Sequence, residues 1–213
     1  MLQGEDTFLD GLPAPLRAVN LLSNAGFEQG PGGWTHMGGQ NWGAFEVVGA
    51  EVAAPRSGAK SARLVVSAAP GTSLPSSKVF GVVQELRGDQ MPGGFPETLA
   101  GWYRVDRWEN DRPDALLYLQ VVVIAWGDPR TQALVPGSPD IRNYQIRFVL
   151  AGAERPAFAL TNARYSFVSR DPPRRGEWVR FEIPVRRAFQ EMWGVVPDGF
   201  EFIRVLFEAR WDA

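Results

Sequence analysis

The sequence predicts an all-β fold, an antiparallel sandwich or barrel preceded by an extended N-terminal arm. Three observations predict it. From residue 20 onward, short apolar runs recur between clusters of Gly, Pro, Asn and Asp. Several runs alternate apolar and polar side chains with period two. Aromatic residues make up 12% of the 213 residues, including 8 Trp, and such side chains favour pleated sheets.

The arm comes first, over residues 1–19. Pro13 and Pro15 block a regular helix there, because each removes a donor and restricts the residue before it. Phe8, Leu9, Leu12 and Leu16 are too apolar for a free tail, so packing on the body or on a neighbouring subunit is expected. Glu5, Asp6 and Asp10, with no basic start and no long apolar run, argue against a signal peptide. With Met1 as the native start, a virion or cytoplasmic location is expected; in a cut piece of a secreted protein, an extracellular one. No stretch is apolar for long enough to span a bilayer, so no membrane partner is expected.

One domain, residues 20–213, follows without an internal repeat or linker. Its expected strands are residues 45–48, 61–67, 79–86, 99–105, 116–126, 144–150, 178–185 and 202–209. Alternation assigns their faces. Val179, Phe181 and Ile183 oppose Trp178, Arg180 and Glu182. Ile203, Val205 and Phe207 oppose Arg204, Leu206 and Glu208, and Tyr144, Ile146 and Phe148 oppose Gln145 and Arg147. These read as half-buried antiparallel strands with one wet face. Residues 116–126 are apolar on both faces except at Gln120, which predicts a central strand with its outer face covered by loops. Helical periodicity is confined to residues 186–193, a turn or two.

Composition narrows the function classes. The absence of Cys excludes disulfides, thiolate metal sites and Cys nucleophiles. A formal net charge of -2 gives no reason to expect nucleic acid. Lys60 and Lys78 are the only lysines, a bias that fits a GC-rich genome and leaves a thermophilic source open.

The punctuation between strands resembles a family. Asn20-Leu21-Leu22-Ser23-Asn24-Ala25-Gly26-Phe27-Glu28-Gln29-Gly30, followed by Trp34, resembles the opening of jelly-roll carbohydrate-binding modules. These are the xylanase-associated modules of the galactose-binding-like superfamily. Ser57-Gly58-Ala59-Lys60-Ser61, Val83-Gln84-Glu85-Leu86, Ala100-Gly101-Trp102-Tyr103-Arg104-Val105 and Gly176-Glu177-Trp178-Val179-Arg180-Phe181 are similar to later strands. The likeness implies a two-sheet antiparallel β-sandwich, the jelly roll, with a glycan as partner. It also implies a structural Ca²⁺ at Glu28, with backbone carbonyls near residues 57–61. Family members end on a strand with an acidic pair, whereas this chain stops at Trp211-Asp212-Ala213. Either the last strand is missing, or the arm replaces it, or Asp212 stands in. The loops at 127–142 and 153–175 are long for the family.

Trp102, Tyr118, Gln120, Trp126, Gln145 and Arg147 are the candidate sugar-binding face. Sugars pack apolar C–H faces on aromatic rings and offer hydroxyls to amides and guanidinium groups. The competing reading makes Trp102 and Trp126 packing residues. Trp34, His36, Asn41 and Trp42 sit in a Gly-rich loop, and Arg170, Arg174 and Arg175 flank Asp171-Pro172-Pro173. No P-loop, dinucleotide fingerprint, zinc motif or nucleophile elbow is present, so no catalysis is expected. Three functions follow as expectations: a non-catalytic glycan-binding module; a virion or assembly protein that homo-oligomerises or meets its neighbours through the arm; or a lyase or hydrolase in which Glu85, Glu182 and Glu208 meet.

Overall fold

Period-two patterning builds two stacked sheets. The computed structural model describes residues 2–3, 19–39, 42–67, 77–91 and 93–213. Their strands are β1 (Leu2–Gln3), β2 (Thr35–Gly38), β3 (Gly43–Gly49), β4 (Lys60–Val66), β5 (Ser77–Arg87), β6 (Leu99–Arg104), β7 (Leu116–Trp126), β8 (Asn143–Ala151), β9 (Ala163–Phe167), β10 (Trp178–Ile183) and β11 (Phe202–Asp212). Two α-helices, α1 (Thr131–Leu134) and α2 (Val185–Trp193), and one 3-10 turn, Gly88–Gln90, complete the set. The protein is all-β, a sandwich with few helices.

The larger sheet runs β2-β5-β11-β7-β8-β9 and is antiparallel except for the parallel pair β8–β9. β11 and β7 are its central strands, as the doubly apolar sequence of residues 116–126 predicts. Facing it are two antiparallel ribbons, β6–β10 and β3–β4. β1 lies between them, with Leu2 opposite both Ala62 and Tyr103, and Gln3 opposite Trp102. This two-residue strand and Val19 are the described parts of the arm; Phe8, Leu9, Leu12 and Leu16 lie outside the described residues, as does Asn41.

The core sits between the sheets. Val82, Val121, Ile146, Phe148, Ile203, Val205 and Phe207 from the larger sheet meet Tyr103, Phe181 and Ile183 from the smaller one. These are the inward sets that alternation selects. α2 closes one end of the sandwich. It buries Val185, Phe189 and Trp193, spaced by four residues on one helical face. It stops where Gly194 takes a left-handed φ of 76°.

Three elements depart from the sequence reading. α2 is nine residues long rather than a turn or two. β2 forms where a Gly-rich loop is expected, because it is an edge strand with no residue fully buried and so carries no alternation signal. β9 forms inside the 153–175 loop, and only Ala163 of its five residues is fully buried.

Phe189 is fully buried and meets Phe95 and Tyr144 edge-on at 5.0 and 5.7 Å. Phe189→Ala should lower the unfolding free energy by about 3–5 kcal/mol with little change in m value, measured by urea denaturation.

Candidate functional site

The site is built on the face of the larger sheet that points away from the core. β7 contributes Tyr118, Gln120, Val122, Ile124 and Trp126 to this face; β11 contributes Phe202, Arg204, Leu206, Glu208, Arg210 and Asp212. β8 adds Gln145 and Arg147, and β9 adds Tyr165, which lies opposite Arg147. The face divides into a polar, covered half and an aromatic, half-exposed half.

In the covered half, ionic and polar groups satisfy one another. Tyr118 donates to Asp212 Oδ2 at 2.7 Å, and Gln120 Nε2 donates to Glu208 Oε2 at 2.6 Å. Arg210 donates to both Asp212 oxygens at 3.1 Å and to Ser77 Oγ at 2.9 Å. Ser77 in turn donates to Asp212. Burial pushes the Asp212 carboxyl up, but hydrogen bonds from Arg210, Ser77 and Tyr118 outweigh it and hold the group below the usual range. Burial also raises the Tyr118 phenol, despite the nearby Arg210 charge.

Three atoms in this half remain unmatched. Gln120 Oε1, Arg147 Nη1 and Tyr165 OH are buried and none reaches full hydrogen-bond geometry among the described residues, although the Arg147 guanidinium lies close enough to the Tyr165 phenol to favour its ionised form. Each such atom costs free energy that a polar partner would recover. Arg147 spends its Nε on Gln145 Oε1 at 3.2 Å, and its Cζ lies 5.8 Å from the Tyr165 ring centre. Phe158 covers the group, its ring centre 5.2 Å from the Cζ atoms of both Arg147 and Arg210.

In the open half, Trp126 and Phe202 are opposite each other on β7 and β11, with rings 5.6 Å apart and 10° from parallel. Arg204 lies against both rings, at 5.7 and 5.6 Å, and donates to Glu85 from Nε at 3.0 Å.

Of the six candidate sugar-binding residues, Tyr118, Gln120 and Arg147 fall in the covered half, and Gln145, opposite Ile124, joins them through its hydrogen bond from Arg147. Trp126 shares their face but lies eight residues along β7 from Tyr118, about 27 Å away at strand rise. Trp102 belongs to the other sheet, where Arg56 lies over its ring at 4.4 Å. Glu208 enters the cluster, but Glu85 pairs with Arg204 and Glu182 pairs with Arg180 on the opposite sheet, so the three carboxylates do not meet.

Sequence reasoning overlooked Arg210, Phe202, Tyr165 and Phe158, and named Asp212 only as a stand-in for the family's terminal acidic residue. Arg210 and Asp212 were legible on this face, since they continue the period-two register of Glu208. Tyr165 and Phe158 lie in a segment whose strand carries no clear alternation.

The remaining candidates serve the fold. Trp34 Nε1 donates to Asn24 O at 3.2 Å, Trp42 Nε1 donates to Val79 O at 3.3 Å, and His36 stacks on Phe80 at 5.6 Å. Arg170 lies over Phe167, Arg174 reaches Glu177, and Arg175 bridges to Val105, so the three serve different partners. Glu28 Oε1 accepts from the backbone amides of Ala59 and Lys60, at 2.9 and 3.1 Å, and a Cβ on Gly58 (φ 63°) would strike it. An oxygen already facing two N–H donors fits a locked turn better than a calcium ligand, and no group of three or more His, Asp or Glu comes together among the described residues.

A second ionic group stands near α2. Asp128 accepts from Arg130, from Tyr144 OH at 2.6 Å and from the Asp198 amide at 3.2 Å. Burial pushes its carboxyl up, but these bonds outweigh it and hold the pKa at about 2.

No protein-family model matches the sequence, and no curated protein matches it.

Two outcomes are expected. A carboxyl with a lowered folded-state pKa stabilises above its unfolded value and loses that contribution as pH falls toward 2. Wild-type protein should thus lose about 2 kcal/mol between pH 4 and pH 2 from this group, and Asp128→Asn should flatten that part of the pH–stability curve. Glu28→Ala should cost about 1 kcal/mol in thermal melts, with equal loss in EDTA and in calcium chloride.

Proposed function

We propose that the protein is a non-catalytic, carbohydrate-binding-module-like protein that recognises a glycan on the outer face of its larger sheet. The observation that supports this reading is the set of unmatched atoms Gln120 Oε1, Arg147 Nη1 and Tyr165 OH, on the same face as the Trp126–Phe202 pair. A sugar hydroxyl both donates and accepts, so one hydroxyl can accept from Arg147 and donate to Gln120. The apolar face of a pyranose ring packs on aromatic rings, and Trp126 and Phe202 are half-exposed. The remaining polar groups are already engaged, which fixes the orientation of the free ones.

Isothermal titration against plant, bacterial and host polysaccharides tests the proposal. Binding to at least one soluble glycan is expected, weakened about tenfold or more by Trp126→Ala and by Arg147→Gln. Trp102→Ala, on the opposite sheet, should change it less than twofold. Silence across the whole panel would refute glycan recognition.

A second reading, an assembly or virion component, draws on β1. An arm whose end pairs with β4 and β6 of its own sheet can pair in the same way with a neighbouring copy. Light scattering should then report an oligomer that becomes monomeric on deletion of residues 1–19; a monomer in both cases removes this reading.

A further inference from the structure

We propose that residues 153–159 are a lid, and that Phe158 plugs the polar half of the sheet face until the segment lifts. The choice of ligand rests on the glycan reading above; the lid itself does not.

The segment is pinned at both ends and free of backbone bonds between them. The Gly152 amide donates to Asp171 O at 2.9 Å, and Gly152 holds a φ of 94° that a side chain would strain. At the other end, Asn162 O accepts from the Gln145 amide at 2.9 Å, and Asn162 Nδ2 donates to Asn143 Oδ1 at 2.9 Å. Between these anchors, residues 153–159 form no backbone–backbone hydrogen bond among the described residues. Only side chains hold the segment down. Ala153 and Ala157 pack near Tyr118 and Val149, and Phe158 lies over two guanidinium groups. A segment held by a few contacts and no backbone bonds opens locally at low cost.

What lies beneath is unlike a packed core. Gln120 is fully buried, yet its Oε1 has no donor, and Arg147 Nη1 has no acceptor. Phe158 lies against the Arg147 and Arg210 guanidinium groups, where its ring offers no lone-pair acceptor. A sugar ring in place of Phe158 would meet both. The formal charges of Glu208 and Asp212 offset those of Arg147 and Arg210, so the site fits a neutral glycan rather than an acidic one.

Three measurements decide between lid and fixed loop. The chain has no Cys, so Gln120→Cys places one thiol in the covered half of the face, where Gln120 is fully buried. Its reaction with Ellman's reagent should be slow and should speed up about tenfold when Phe158→Ala is added. Nitration of Tyr165 by tetranitromethane, read by mass spectrometry, should show the same acceleration in the chain without the introduced thiol. With xylohexaose, cellohexaose and mannohexaose as probes, Phe158→Ala should bind about tenfold tighter than wild type, because apparent affinity scales with the open fraction. Equal labelling and nitration rates with and without Phe158 overturn the lid. Accelerated labelling with no oligosaccharide binding upholds the lid and counts against the glycan. Binding that Phe158→Ala leaves unchanged or weakens also overturns the lid.

Discussion

The structure depends on the central position of β11. All eleven of its residues are paired with β5 on one side and β7 on the other. Because side chains alternate, this register fixes two surfaces at once. Ile203, Val205 and Phe207 go to the core, and Arg204, Glu208, Arg210 and Asp212 go to the opposite face. A slip of one residue would bring those charges between the sheets, where an unpaired charge costs several kcal/mol. The core therefore enforces the polar cluster, and the cluster in turn resists a slipped core.

The topology explains why half of that outer face is covered. β8 and β9 are parallel neighbours, and parallel neighbours need a crossover connection rather than a tight turn. Residues 152–162 are that connection, and Ala153, Ala157 and Phe158 rest on the outer face as it passes. Coverage is thus a consequence of adding one parallel edge strand. It stops short of Trp126 and Phe202, which lie at the other end of β7 and at the start of β11.

The fold was legible because its central strands are long and carry clean patterns. The outward placement of Gln145 and Arg147 followed directly from the apolar set Tyr144, Ile146 and Phe148. The wet face expected for β11 did not follow. Leu206, Glu208, Arg210 and Asp212 are buried, because alternation tells which residues share a face and not what covers it. For the same reason Trp102 was grouped with Tyr118 although the two lie on different sheets. Period two has no term for which sheet a strand joins. β9 was invisible, since an edge strand with Arg164, Tyr165 and Ser166 in sequence looks like a loop.

The outer face also shows how an apparent excess of polar burial can be read. A network with every donor and acceptor matched rigidifies a fold and needs no ligand to explain it. The Asp128 group is of that kind, with Arg130, Tyr144 and the Asp198 amide closing around one carboxylate. The cluster at Tyr118 and Asp212 would be of the same kind if it ended there. It continues to Gln120 and Arg147, where Gln120 Oε1 and Arg147 Nη1 are left unmatched and Phe158 lies against the Arg147 guanidinium. On this face the unmet capacity lies in the half that residues 153–159 cover, a segment with no backbone hydrogen bonds of its own among the described residues. A site that must open needs a cover held by few contacts, and residues 153–159, held by Ala153, Ala157 and Phe158, meet that requirement.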